Sequence, residues 1–303
     1  MKRKRRRDTS ALNSRLIRRP IQRMAWLFLL PTFAAFCVGF LYPFLKGAFL
    51  SLCSFKITSD WKFVGFDNYV KAFQDASFMH AFWYTALFAL VSLISINLLA
   101  FVVAYALTRG IKGSNLFRTV FFMPNLIGGI VLGYIWKLIF DAFLRSASLQ
   151  PLLTNATYGF WGLVILVAWQ QIGYMMIIYI AGLQAIPDDM LEAAKIDGAG
   201  RWQTLWHVTI PNVMPSVTIC VFLTLTNSFK LFDQNLALTN GSPQIPGTNI
   251  YKTEMLALHI FKTNGIGNSW KGVAQAEAVI FFILVAALAL LQLRATRTKE
   301  VQQ

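Results

Sequence analysis

The stretch Tyr84–Leu107, YTALFALVSLISINLLAFVVAYAL, contains no Asp, Glu, Lys or Arg. An uncharged apolar run of about 20 residues matches the hydrocarbon thickness of a bilayer. A lone segment in lipid must satisfy its own backbone N–H and C=O groups, so the stretch is predicted to be a helix. Working outward, five more apolar blocks are readable at roughly Ala25–Leu45, Val120–Phe140, Phe160–Leu183, Pro215–Phe232 and Ala274–Leu293. The fold class is therefore all-α, a polytopic membrane protein with six transmembrane helices. Composition agrees: 56% of the 303 residues are hydrophobic and 14% are charged, against about 25% charged in soluble domains.

The net charge of +15 raises nucleic acid as a partner, but its distribution argues against that. Lys2, Arg3, Lys4, Arg5, Arg6, Arg7, Arg15, Arg18, Arg19 and Arg23 all precede the first apolar block. A basic tail beside a membrane helix sets orientation and meets anionic headgroups, and no nucleic-acid module follows it. The tail (1–23) is expected in the cytoplasm, followed by the membrane domain (24–295) and a C-terminal tail (296–303). An even number of spans puts both termini on that side. Arg109, Lys112 and Arg118 after the second span agree with the positive-inside rule. The first block is read as an uncleaved span: Phe36 is bulky for a processing site before Cys37, and the chain stays apolar to Leu50. Cys37, Cys53 and Cys220 fit neither a disulfide framework nor a metal site and are read as packing residues.

The inner loop 184–212 lacks the basic excess of its neighbours, with Lys195 and Arg201 set against Asp188, Asp189, Glu192 and Asp197. Pro187 followed by two acids is a helix start. Gly198 and Gly200 interrupt the helix, and Pro211 is expected to end a second short helix carrying Trp202, Leu205, Trp206 and Val208. Glu192-Ala193-Ala194, three residues, Gly198, nine residues, then Val208-Thr209-Ile210-Pro211 resembles the EAA motif of ABC importer permeases. Leu41-Tyr42-Pro43, Val64–Tyr69, Arg118–Pro124, Trp136 and Leu238–Pro243 extend the likeness to the carbohydrate-uptake branch. The type most similar is the larger permease of maltose and multiple-sugar importers, without the extra N-terminal spans and large external domain of the maltose type.

That resemblance implies a bacterial cytoplasmic-membrane permease importing a sugar or oligosaccharide. Its partners would be a second permease subunit, two ATPase subunits that bind ATP and Mg, and an extracytoplasmic solute-binding protein. Glu192, Ala193, Ala194, Asp197, Gly198 and Pro211 would form the ATPase-coupling element, Glu192 as the charged contact and the small residues allowing close approach. Trp169, Gln170, Gln171 and Tyr174 in the fourth span, with Thr224, Asn227, Ser228 and Leu231 in the fifth, match positions where the maltose-type permease meets its sugar. Amides and hydroxyls suit sugar hydroxyls, and aromatic faces suit sugar rings; helix–helix hydrogen bonding is the competing reading for the same residues. No glycine-rich phosphate loop with its lysine occurs, so the chain is not expected to be an enzyme or to hold a cofactor.

Other solutes on the same architecture, such as glycerol phosphate or a polyamine, are alternatives. An ion-coupled secondary transporter would need midspan coupling charges, and an intramembrane enzyme converging catalytic groups; neither pattern is readable. Among weaker signals, Lys230 and Asp233 are expected to pair, and Glu277 to snorkel to water at the outer end of the sixth span. Gly129 and Gly133 are expected to pack helices. His80, His207 and His259 are assigned interfacial roles without metal. Asn155-Ala-Thr and Asn240-Gly-Ser match the glycosylation pattern without further support.

Overall fold

In hydrocarbon a backbone amide finds partners only within its own helix, and the described residues of the apolar blocks are helical except at Ile127–Gly128 and beyond Phe229. The computed structural model describes residues 26–27, 29–265 and 270–297; the basic tail at 1–23 and most of the C-terminal tail lie outside them. Helix α1 (Leu29–Leu50) leads to an antiparallel ribbon of β1 (Cys53–Ile57) and β2 (Asp60–Phe63), then to α2 (Asp67–Gln74). Next come α3 (Ala76–Leu107), α4 (Ser114–Phe122), α5 (Gly129–Ser146), α6 (Ala156–Gln184) and α7 (Asp188–Ile196). The chain closes with α8 (Arg201–Phe229), α9 (Asp233–Leu238), α10 (Leu256–Gly265) and α11 (Lys271–Arg297). Among the described residues five of these helices are long and apolar enough to cross a membrane, or six if one bent pair counts as a single span. The ribbon is a small β exception to the all-α reading.

Three block boundaries differ from expectation. The second span starts at Ala76, because the Asp75 carboxylate accepts the Ser77 N–H at 2.9 Å and caps the helix. At about 1.5 Å per residue α3 is roughly 48 Å long, more than a bilayer core, so it extends beyond the expected Tyr84–Leu107 block at its start. The third block is not one straight helix: Ser114–Leu126 and Gly129–Ser146 meet at 102°. Pro124 lies in a 3-10 turn and Ile127 and Gly128 are extended, which ends the first limb. The fifth span is longer than expected, running unbroken from Arg201 through Pro211 to Phe229. Pro211 does not stop it. A π-turn at Leu205–Thr209, where the Ile210 N–H reaches the Leu205 carbonyl, widens the helix just before the proline. That shift relieves the clash a proline ring makes with the preceding turn.

The fourth span is central: two thirds of its most apolar window (67%) is buried, against 6% for α1 and 11% for α11. It runs alongside α3 in the same direction, with Tyr84 on Phe160 and Phe101 on Tyr179 edge to face. Its first turn is capped by Asn155, whose Oδ1 accepts from the Thr157 and Tyr158 N–H groups. Gly173 lets α6 press against the other limb of the broken span: a Cβ there would lie 1.9 Å from the Phe121 carbonyl oxygen. Gly129 and Gly133 face Asp233 and Ala237 of α9, so the expected helix packing is present. Asn68 donates to the Ser51 and Cys53 carbonyls, fastening α2 to the ribbon. Cys53 and Cys220 are buried and all three thiols are free.

Candidate functional site

Helix α7 borders a cavity of about 610 Å³ between it and the ends of α3, α6 and α8. Tyr105, Arg109, Gln184, Asp188, Lys195 and Thr209 are among its lining residues. Asp188 and Asp189 sit in the first turn of α7 and Lys195 in the last, both complementing the helix dipole. The helix ends in a Schellman turn: the Ala199 N–H bonds the Ala194 carbonyl at 2.9 Å and the Gly198 N–H bonds the Lys195 carbonyl at 3.1 Å. Gly198 has φ +75° and open space where a Cβ would lie. Within the chain, glycine is required there by the left-handed backbone. Gln203 Oε1 accepts the Gly200 N–H at 2.7 Å and restarts the chain as α8. The second arm of the expected helix–turn–helix is thus the first part of the fifth span itself.

Glu192 and Ala193 are exposed on α7, with Ala194 half-buried, and Asp197 is exposed at the turn. Around them stand uncovered apolar side chains: Ile196 is 85% exposed, Trp202 71% and Trp206 60%. Pro211 is half-buried inside α8.

The expected solute-path residues separate into two sets. Gln171, Asn227 and Leu231 line one cavity of about 310 Å³ together with Lys230, Phe232 and Gln234. Gln171 Oε1 and the buried Ser228 hydroxyl have no hydrogen-bond partner. The other residues serve the helices. Gln170 donates to the Ile127 carbonyl at 3.2 Å, satisfying a group freed by the break in the third span, and accepts from Gln234 at 2.7 Å. Thr224 is fully buried and accepts from Asn97 Nδ2 at 3.2 Å. Trp169 stacks edge to face on Trp136, and Tyr174 packs against the core. Asp233 lines the same cavity as Lys230, yet among the described residues no ion pair joins them. Sequence spacing suggested one; the helix ends at Phe229 and breaks the register.

At the opposite end from α7, two further expectations fail. Glu277 is 0% exposed and does not reach water. His259 is buried, with Glu254 2.9 Å from Nδ1 and Glu277 and Asp75 3.6 and 3.7 Å from Nε2. The reason is α10, which packs on α3 and α11 and carries His259 against their acids. Local spacing signals only the Glu254–His259 part, five residues apart; Asp75 and Glu277 come from separate segments. His80 and His207 each meet a backbone carbonyl, that of Lys252 across 172 residues of sequence and that of Gln203 one turn back.

Residues 96–297 match the model of the family described as binding-protein-dependent transport system inner membrane component. The chain belongs to that family. This permease is 40% identical over 284 residues to the probable starch degradation products transport system permease protein AmyD of Thermoanaerobacterium thermosulfurigenes, covering 91% of this chain and 95% of that one. It is 30% identical to the multiple sugar-binding transport system permease protein MsmF of Streptococcus mutans, covering 91% and 96%. Its fold is that of a chain in a bacterial ABC transporter involved in import of the acidic polysaccharide alginate, with a TM-score of 0.76 at 20% identity over 93% of this chain and 98% of that chain. It is an ABC importer permease in fold, a membrane-spanning transport subunit.

Proposed function

We propose that this permease imports a sugar or oligosaccharide, and that the segment Glu192–Pro211 couples it to an ATPase subunit. The observation that carries the coupling is the uncovered apolar surface of Ile196, Trp202 and Trp206 around the Glu192 carboxylate. Side chains of that size left in water at the end of a membrane bundle form a docking surface. Glu192 supplies the charged contact, Ala193 and Ala194 keep the surface low, and the Gly198 turn fixes the angle between α7 and α8. The sugar assignment rests on the permeases for starch products and multiple sugars that share most of this chain's length. Gln171 and Asn227 would hydrogen-bond the solute, and Leu231 and Phe232 would meet its apolar faces.

In this reading the 24–295 domain pairs with a second permease, and two ATPases hold the ATP and Mg. An extracytoplasmic solute-binding protein delivers the solute at the Asp75 end. Both termini and α7 lie in the cytoplasm of a bacterial cell whose inner membrane the spans cross. Closure of the ATPases moves the permease pair between inward- and outward-open packings. The test is the double variant Glu192→Lys with Gly198→Asp in the assembled transporter. The expected result is loss of ATPase co-purification and of solute uptake, with the chain still in the membrane. Normal assembly and transport would remove the coupling role. Binding of sugars to the cognate solute-binding protein tests the substrate class separately.

A further inference from the structure

The mechanism proposed above makes no use of the buried acids and histidine at the Asp75 end. Glu277 is the unusual member: it is wholly buried, and neither carboxylate oxygen has a hydrogen-bond partner. An ionised carboxylate in that state is costly unless a cation accompanies it. Its Oε1 points at His259 Nε2 from 3.6 Å, too far for a hydrogen bond, and Asp75 Oδ2 lies 3.7 Å from the same nitrogen. One ligand atom from each of Asp75, His259 and Glu277 falls within 4.8 Å of the others. A tetrahedral zinc ion with bonds of about 2.0–2.1 Å has ligand–ligand edges of about 3.4 Å, close to the two separations to His259. We propose that Asp75, His259 and Glu277 form a binding site for a zinc-class divalent cation, pinning α10 to the outer ends of the second and sixth spans.

The surroundings fit. Glu254 Oε1 is 2.9 Å from His259 Nδ1, so a proton on Nδ1 is held there and Nε2 is left to face the two acids. A histidine backed by a carboxylate is the usual outer shell of a zinc ligand. Lys262 holds the other Glu254 oxygen at 2.6 Å, so Glu254 is fixed in turn. The Thr263 hydroxyl lies 3.3 Å from Nε2 but bonds the His259 carbonyl at 3.0 Å, which turns its proton away from the site. Three carboxylates (Asp75, Glu254, Glu277) face one ammonium here, and with neutral imidazole a divalent cation balances the set. Without the cation, burial pulls His259 down but Glu254 and Glu277 more than offset it, raising its pKa to about 9; a proton is the competitor. A cavity of about 310 Å³ lined by Asp75, Glu254 and His259 provides a path from the surface. One nitrogen and two carboxylates with room for a water suit zinc better than the all-oxygen shells of calcium or magnesium.

The experiment uses the assembled transporter, free of affinity tags, stripped with chelator and dialysed against Zn²⁺ alone. Bound zinc is counted by elemental mass spectrometry and its affinity measured against a chromophoric chelator. The wild type is expected to retain one more equivalent of zinc per copy of this chain than Glu277→Gln or Asp75→Asn. Asn at 75 still caps α3 through its Oδ1, so this variant remains informative if the buried substitution fails to assemble. Glu254→Gln is expected to bind zinc about 10- to 100-fold more weakly. Equal zinc in the wild type and Asp75→Asn would overturn the site and leave an ion-paired imidazolium as the whole of the arrangement.

Discussion

Asn97 donates its side-chain amide to Thr224 across 3.2 Å, and its carbonyl accepts from the Tyr179 hydroxyl at 2.8 Å. One amide thereby ties the second, fourth and fifth spans together inside the bundle. A threonine that matches a sugar-contact position is thus committed to a neighbouring helix. Thr224→Val keeps the shape and removes the acceptor. The expected cost is about 0.6 kcal/mol, and at most about 1.7 kcal/mol, as for other interhelical bonds in membranes. Thermal unfolding in detergent should shift slightly, while the KM for uptake stays at the wild-type value. A large rise in KM without loss of stability would return Thr224 to the solute path.

Gly173 meets the backbone of the broken span, with the Phe121 carbonyl oxygen where a Cβ would be. A backbone neighbour cannot rotate away as a side chain can. Gly173→Ala should therefore destabilise by about 1–3 kcal/mol, the usual cost of overpacking, and lower the yield of assembled transporter. Gly39, with nothing within 4 Å of its Cβ position, is the matched control, and its alanine variant should express normally.

Gln171 and Asn227 border the same cavity, and Gln171 Oε1 lacks a partner within the chain. In the proposed function that oxygen bonds the solute. Asn227→Ala and Gln171→Leu should each raise the KM for uptake by about tenfold, the equivalent of one hydrogen bond at about 1.4 kcal/mol. Recruitment of the ATPase should be unaffected, which co-purification checks. Unchanged uptake in both would place the solute elsewhere.

Trp202 and Trp206 are uncovered within the chain, at the start of the helix that follows the Glu192–Gly198 turn. If they anchor an ATPase, each should behave as an interface hot spot worth about 2 kcal/mol. Trp202→Ala with Trp206→Ala should then weaken ATPase binding by several hundred-fold or more in a titration with the purified subunit. Near-native binding by the double variant would show that the aromatic surface has another use.

Much of the bundle was readable because hydropathy is a local property. Tyr84–Leu107 has to be a helix in lipid whatever surrounds it, and the Glu192–Gly198 stretch announces a helix-ending turn that the Schellman bonds realise. Local reasoning failed where a distant element intervenes. Glu277 was assigned to water because nothing near it in sequence shows that α10 covers it. Gln170 was left open between solute contact and helix–helix bonding, since the carbonyl it satisfies belongs to a break 43 residues away. Pro211 was read as a stop, and no propensity shows that a π-turn would absorb it. Pro124 and Gly128 were visible, but a bend of 102° needs α6 and α9 to hold it.

The uninterrupted helix from Arg201 to Phe229 makes a rigid rod of about 43 Å, at about 1.5 Å of rise per residue. Its near end carries Trp202 and its far end stops two residues beyond Asn227. A tilt of roughly 5° about the near end would sweep the far end through about 4 Å, more than a hydrogen bond's tolerance. The proline that looked like a terminator therefore sits within a lever arm. Gearing between a small rocking motion at one membrane surface and a decisive change of fit near the other is set by the length of that rod.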